Sequence, residues 1–307
     1  MDIDLTRREA LRLIAGGLCA CGILRENVFG APSDMLHRAI PKSGEKLPVI
    51  GLGTYVAFDG DGSGAERDSA RDVLRLFVEH GGKVVDSSPM YGAAESVVGD
   101  LASELGVQKK LFIATKVWTS GRQSGIRQME ESMRKLRANP IDLMQVHNLL
   151  DVTTHLNTLR GWKKEGRIRY LGVTHYHSGA YDELERAIRN GVDFVQVNYS
   201  IEEREAEARI LPAAADTGTA VIINRPFAQA GLFRRVRNKP LPEWAGEIDC
   251  ASWAQFFLKY ITGHPAVTCA IPATRNPKHL VDNMGAGRGR IPDQALRKRM
   301  VEYFQQI

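Results

Sequence analysis

Val84-Val85-Asp86-Ser87-Ser88-Pro89-Met90-Tyr91-Gly92 is the stretch on which the reading of this chain turns. Two β-branched residues end in an acid, and a short turn then carries a tyrosine. A buried strand delivers an Asp and a Tyr to one end of a sheet in this way. Two further runs end in a single ionisable residue: 111–116 (LFIATK) closes on Lys116, and 141–147 (IDLMQVH) closes on His147. The four polar groups are separated by strand–loop–helix intervals. Active sites of (β/α)8 barrels are assembled from the C-terminal ends of several different strands, and this spacing predicts one.

On either side of this stretch the chain alternates. Residues 48–55 (PVIGLGTY) make a short apolar strand closed by glycines, and 66–80 carries Ala70, Val73, Leu74 and Phe77 at i, i+3, i+4 and i+7, the apolar face of a helix. Strand 83–86 leads to a helix over 93–105, strand 111–115 to 125–137, strand 142–146 to 153–165 and strand 170–174 to 180–190. Strand 194–197 leads to 205–217, strand 220–224 through an irregular loop to 250–262, and strand 267–271 to 276–285, with a last helix in 292–307. Continuous apolar strands between amphipathic helices imply a parallel sheet covered on both faces. About eight such units in about 260 residues fit a closed TIM barrel better than an open sheet. No glycine-rich dinucleotide fingerprint follows a strand, and neither a phosphate-binding P-loop nor a nucleophile elbow is present.

The length of 307 residues allows one large α/β barrel or two smaller domains. Net charge is +5. The first 31 residues sum to zero, so the excess belongs to the body, where it would attract a phosphate-bearing ligand or simply coat the surface. No basic stripe with interleaved aromatics points to nucleic acid. The four cysteines show no metal-ligand spacing, and no metal is expected. The loop 59–64 (DGDGSG) opens like an EF-hand, but Ala70 holds the twelfth position, so a loop is expected there.

Residues 1–31 read as an export signal rather than as part of the fold. Arg7-Arg8 precedes an apolar run over 13–24, and the pair resembles a twin-arginine signal with Ala10 in place of the usual Phe. Cleavage is expected in 28–31, or, with the looser lipoprotein-like box around Cys21, lipidation there. The expectation is export by the twin-arginine machinery to a periplasmic or extracytoplasmic site, and a cytoplasmic location if the signal is inactive. That route moves folded proteins, so a cofactor can be loaded before export. Contact with the membrane would come only through the signal or a lipid at Cys21. Residues 32–46 are expected to be a polar linker, and 47–307 the barrel.

Asp86 and Tyr91 in the opening stretch, Lys116 after Ala114-Thr115 and His147 after Gln145-Val146 resemble the Asp-Tyr-Lys-His tetrad of the aldo-keto reductases, and the resemblance extends over about residues 47–286. It implies a (β/α)8 barrel that reduces an aldehyde or ketone with NADP(H), with NAD(H) as a possible substitute. By the same resemblance the cofactor contacts are Gly53 and Thr54 after the first strand, Thr174, His175 and Gln196 at the nicotinamide carboxamide, and Asn224 with Arg225 beside its ring. Thr274, Arg275, His279, Asp282 and Asn283 would surround the adenosine end. Departures are visible: His175 stands for Asn, Asn224 for a stacking Tyr or Trp, Ala273-Thr274 for Lys-Ser, and His279 for Arg. Tyr55, Trp118 and Asn148 would rim the substrate pocket, with Asn148 in place of a Trp.

The chemistry supports these roles. Carbonyl reduction needs a hydride donor on the carbon and a proton donor at the oxygen. Tyrosine is a weak acid, with a reference pKa of about 10, and a nearby Lys⁺ favours its phenolate. Tyr91 is then the general acid, Lys116 its tuner, Asp86 the anchor of Lys116, and His147 the hydrogen-bond donor that orients the carbonyl. Taken singly, each residue is equally a structural salt bridge, a half-buried Tyr or a core His. Two other readings of the barrel stay open: a cofactor-binding redox sensor with slow or no turnover, and an isomerase or lyase that holds a substrate phosphate.

Overall fold

A computed structural model describes residues 34–59 and 64–307. The segment 1–31, with the expected export signal and Cys21, and the centre of the loop 59–64 lie outside the described residues.

The structure opens with a hairpin, β1 (His37–Ala39) antiparallel to β2 (Lys46–Pro48), rather than the expected linker. Three-residue strands around a Pro41–Gly44 turn leave too short an alternation to be recognised. What orders them is burial. Ile40 and Leu47 are almost wholly buried against Val84, Phe112, Leu143, Tyr170 and Phe194, at the starts of the barrel strands. Tyr170 donates to Glu45 Oε2 at 2.7 Å, and Lys42 donates to the Val192 carbonyl at 2.6 Å, so polar groups pin the hairpin's turn as well. The hairpin therefore closes the N-terminal end of the barrel.

Eight parallel strands follow in sequence order: β3 (Leu52–Gly53), β4 (Val84–Asp86), β5 (Phe112–Val117), β6 (Ile141–His147), β7 (Ile168–Thr174), β8 (Phe194–Asn198), β9 (Ala220–Asn224) and β10 (Cys269–Ala270). Bridges from Ile50 to Ala270 and from Gly53 to Ala273 join the last strand to the first and close the barrel. Gly53 is needed at this seam, because a Cβ there would lie 2.9 Å from the Ile271 carbonyl oxygen.

The helices are α1 (Gly64–Glu79), α2 (Ala94–Glu104), α3 (Arg122–Leu136), α4 (Val152–Lys164), α5 (Tyr181–Arg189), α6 (Ile210–Thr217), α7 (Gly231–Arg235), α8 (Trp253–Thr262), α9 (Pro277–Gly285) and α10 (Gln294–Gln306). Outward strand residues such as Val85, Ile113, Met144, Val173, Val195 and Ile223 pack against their apolar faces, which is why the strands read as unbroken apolar runs. The helix expected over 205–217 is a 3₁₀ turn, Glu205–Ala208, followed by α6. Pro212 explains the break: in a continuous helix its ring would crowd the Ala208 carbonyl, whereas in the first turn of α6 its missing N–H costs nothing. The helix expected from 250 begins at Trp253, because Ser252 caps it by accepting from Gln255 N. Among the described residues no helix is long and apolar enough to cross a membrane.

Candidate active site

The strands' period of two decides which polar groups meet. Counting forward from the apolar residues inside the barrel, Val84 gives Asp86, Ala114 gives Lys116, and Leu143 gives Gln145 and His147. Tyr170 leads to Thr174, Phe194 to Gln196 and Asn198, and Ile222 to Asn224. The lower barrel is thus filled with side chains, and its C-terminal end carries a buried polar layer.

Lys116 lies at the centre and is fully buried. Its Nζ donates to Asp86 Oδ2 at 2.6 Å and to the Ser87 carbonyl at 2.6 Å, and it stands 4.8 Å from the centroid of the Tyr91 ring. Asp86 Oδ1 accepts from Gln145 Nε2 at 3.2 Å. Burial pulls the Lys116 ammonium toward its neutral form, but the fields of Asp86 and Tyr91 outweigh it, and its pKa is raised. Burial also raises the Tyr91 pKa; Lys116 acts in the opposite direction without overcoming it, and Asp86 adds to the rise. Contrary to what the residue types suggested, Lys116 alone does not make Tyr91 a stronger acid than usual. It limits the penalty of burial, and the phenol stays protonated at neutral pH.

His147 is 6% exposed, its ring centroid 5.9 Å from that of Tyr91 in an edge-on arrangement. Burial and then the Lys116 charge push its pKa down to about 2, so its imidazole is neutral. Nδ1 lies 3.0 Å from Ser88 Oγ. Tyr55 and Trp118 stand beside these rings, with ring centroids 5.0 Å from Tyr91 and 6.5 Å from His147 respectively, and both are exposed. Asn148 follows His147 in a left-handed backbone conformation (φ 51°), which asparagine tolerates well.

Beside this group runs a band of polar atoms that lack a partner among the described residues. Gln196 Oε1 accepts from the Thr174 hydroxyl at 2.9 Å, while its buried Nε2 has no partner. Asn224 Nδ2 donates to the His175 carbonyl at 3.3 Å, while its Oδ1 has none. Asn198 Oδ1 is orphaned as well. A buried polar atom left without a partner costs about 1–3 kcal/mol, so several on adjoining strands make a candidate ligand site. One donor and two acceptors on neighbouring strands suit a planar primary amide such as the nicotinamide carboxamide. His175 turns its Nδ1 to the Tyr176 N–H and stacks on the Tyr176 ring, and Arg225 donates to the Tyr176 carbonyl at 3.3 Å and lies 5.8 Å from that ring.

Other expected cofactor residues are engaged elsewhere. The Thr54 hydroxyl is buried and bonds to the Asp86 carbonyl, as donor, and to the Ser87 hydroxyl, both at 3.0 Å, so it braces the β4 loop. At the start of α9, Thr274 Oγ1 accepts from Asn276 N, and Asn276 Oδ1 accepts from Lys278 N. Arg275 reaches back to Asp59 at 3.1 Å, Glu66 at 3.5 Å and the Val56 carbonyl. His279 is exposed, Asn283 is buried, and both carboxylate oxygens of Asp282 accept bonds, from Ser252 Oγ at 2.7 Å and Gln255 Nε2 at 2.8 Å. Sequence reasoning missed Gln145, Asn198 and Ser88. The first two were available as polar residues on the inward alternation of apolar strands, whereas nothing local distinguished Ser88.

A barrel with this polar end defines an α/β enzyme architecture, and comparison with known proteins gives its family. Residues 49–298 match the aldo/keto reductase family. The chain is 30% identical over 260 residues to the methylglyoxal reductase YeaE of Escherichia coli (strain K12), covering 81% of this chain and 89% of that protein. It is 25% identical over 251 residues to a glyoxal reductase of Bacillus subtilis (strain 168), covering 78% and 83%. Its fold resembles an aldo/keto reductase from Klebsiella pneumoniae solved with NADP and acetate, with a TM-score of 0.72, 25% identity, and coverage of 87% and 94%. The chain belongs to the aldo/keto reductase family and is an enzyme of that family.

Among the described residues no group of three or more His, Cys, Asp or Glu is placed to hold a metal. Cys250 and Cys269 are buried free thiols.

Proposed function

We propose that this protein reduces the carbonyl of an aldehyde or ketone to an alcohol with NADP(H). The observation that carries the proposal is the fully buried Lys116, bonded at 2.6 Å to Asp86 and standing 4.8 Å from the Tyr91 ring beside a neutral His147. When bound, a reduced nicotinamide would supply the hydride that adds to the carbonyl carbon. Gln196, Asn198 and Asn224 would hold its carboxamide through the atoms that lack partners.

The protein's own residues supply the rest. His147 donates a hydrogen bond to the carbonyl oxygen and stabilises the negative charge growing there. The Tyr91 O–H transfers its proton to that oxygen, completing the alcohol. The phenolate left behind faces the Lys116 ammonium, which Asp86 keeps charged and in place, and Tyr91 later regains its proton from solvent. In the reverse direction Tyr91 acts as the base.

Similarity to proteins named methylglyoxal reductase and glyoxal reductase makes a small 2-oxoaldehyde the first substrate to test. Replacing Tyr91 with Phe removes the proton donor and leaves the pocket's shape. Turnover should fall about 10²–10⁴-fold with cofactor binding retained. A variant as active as the wild type would remove Tyr91 from the mechanism. A second reading, a cofactor-binding sensor, is favoured by Asn224, which bonds the His175 carbonyl and presents no flat ring for stacking. Tight cofactor binding with no product in a single turnover would decide for it.

The Arg7-Arg8 pair ahead of the apolar run 13–24 supports export by the twin-arginine route. Replacing both arginines with Lys should trap the full chain in the cytoplasm. Fractionation that finds both forms in the cytoplasm would end the export proposal.

A further inference from the structure

We propose that Ser88 is a positioning residue for His147: its hydroxyl donates to Nδ1 and so holds the imidazole in the tautomer that carries its proton on Nε2. Pro89 follows Ser88 and has no N–H, so the first backbone donor that the Ser88 side chain meets is Met90, two residues on. Met90 N donates to Ser88 Oγ at 3.3 Å, and Tyr91 N donates to the Ser88 carbonyl at 3.0 Å. Ser88 thus builds the turn that presents Tyr91.

The same oxygen lies 3.0 Å from His147 Nδ1, across 59 residues of sequence. Ser88 is fully buried, and a hydroxyl has one hydrogen to give and two lone pairs. One lone pair takes the Met90 N–H. If His147 carried its proton on Nδ1, that proton would take the other lone pair, and the serine hydrogen would be left buried with no acceptor among the described residues. The opposite assignment satisfies every group: Ser88 O–H donates to Nδ1, and Nε2 keeps its hydrogen. An unmet buried donor is costly, so the second arrangement prevails.

The consequence is functional. His147 Nε2 makes no hydrogen bond within the described residues, while Tyr91 and Trp118 stand around its ring, so Nε2–H is the donor left for a substrate oxygen. One serine therefore sets the position of the Tyr91 turn and the donor state of His147. This rests on the reduction proposed above, but the tautomer can be observed without turnover.

The test is nitrogen-15 NMR of the full chain with labelled histidine. The chain holds eight histidines, so the His147 signals are assigned by their loss in His147→Gln. The expected spectrum shows Nδ1 as an unprotonated acceptor and Nε2 as protonated. A protonated Nδ1 in the wild type overturns the proposal outright, whatever any variant does. Ser88→Ala should mix the two tautomers and lower kcat about tenfold with cofactor affinity unchanged, and Ser88→Thr, which keeps the hydroxyl, should restore both. Wild-type kcat and an unshifted spectrum in Ser88→Ala would equally overturn the proposal. If Ser88→Ala does not fold, the wild-type spectrum decides alone. If instead Tyr91→Phe retains full turnover, the reduction mechanism fails while the spectrum still judges Ser88.

Discussion

Replacing Asp86 with Asn tests the centre of the site, because it changes one charge and almost no volume. Lys116 is fully buried, and its Nζ donates to the Asp86 carboxylate and the Ser87 carbonyl, each at 2.6 Å. Removing the carboxylate charge leaves an ammonium with no counter-ion, and breaking a buried pair from one side costs about 3–5 kcal/mol. Against a typical total stability of about 5–15 kcal/mol, that is a large fraction. The variant should unfold at clearly lower urea with an unchanged slope, and its Lys116 should shed its proton more readily. Catalysis should fall as well, since the charge facing the Tyr91 phenolate weakens. The double variant Asp86→Asn/Lys116→Met replaces the pair with groups that need no counter-ion. It should recover most of the lost stability but none of the turnover. The assay is equilibrium urea unfolding by circular dichroism beside steady-state kinetics. If Asp86→Asn lies within about 1 kcal/mol of the wild type, well below the cost of an orphaned buried charge, the reasoning about Lys116 fails.

Other outcomes follow from the same geometry. The folded His147 pKa of about 2 lies below its ordinary 6.5, so the unfolded chain takes up the proton first. The stability that the neutral ring contributes is complete above 6.5 and declines as pH falls; about 2 kcal/mol is lost by about pH 5, and urea titrations of His147→Gln should show a flatter acid limb. Lys116 has the opposite sign: its folded pKa is raised, so its contribution holds below 10.5 and is lost as pH climbs through the folded value, an alkaline loss that Lys116→Met should abolish in the same titrations. Gly53→Ala places a methyl 2.9 Å from the Ile271 carbonyl at the barrel seam and should cost about 1–3 kcal/mol in thermal or urea unfolding. Asp59→Asn with Glu66→Gln releases Arg275 from its two carboxylates, and fluorescence titration should then show tighter NADPH binding, diminished by salt, with NADH unchanged.

Much of this site was legible because it depends on strand ends. Asp86, Lys116 and His147 each terminate an apolar run, and the period of two fixes their common direction without knowledge of loops. Tyr91 was legible because its turn is short. The parts that escaped depend on contacts distant in sequence. The separation of 59 positions from Ser88 to His147 leaves no local mark, and neither does the burial of Ile40 and Leu47, whose three-residue strands resemble a linker until the barrel floor is in place. The balance at Tyr91 was hidden for another reason: the residue types announce that a lysine favours the phenolate, but only depth in the fold shows that burial outweighs it. The α9 entrance shows the same limit. The family resemblance puts Arg275 at the adenosine end of the cofactor, whereas the structure ties it to Asp59 and Glu66.

The most direct measurement is a single turnover of the purified chain with NADPH deuterated at its transferable position and a 2-oxoaldehyde. One deuterium should appear on the carbinol carbon of the product at the wild-type rate, and Tyr91→Phe should form the same product about 10²–10⁴-fold more slowly. A product without deuterium, or an equal rate in the variant, would rule out hydride transfer with Tyr91 as the proton donor.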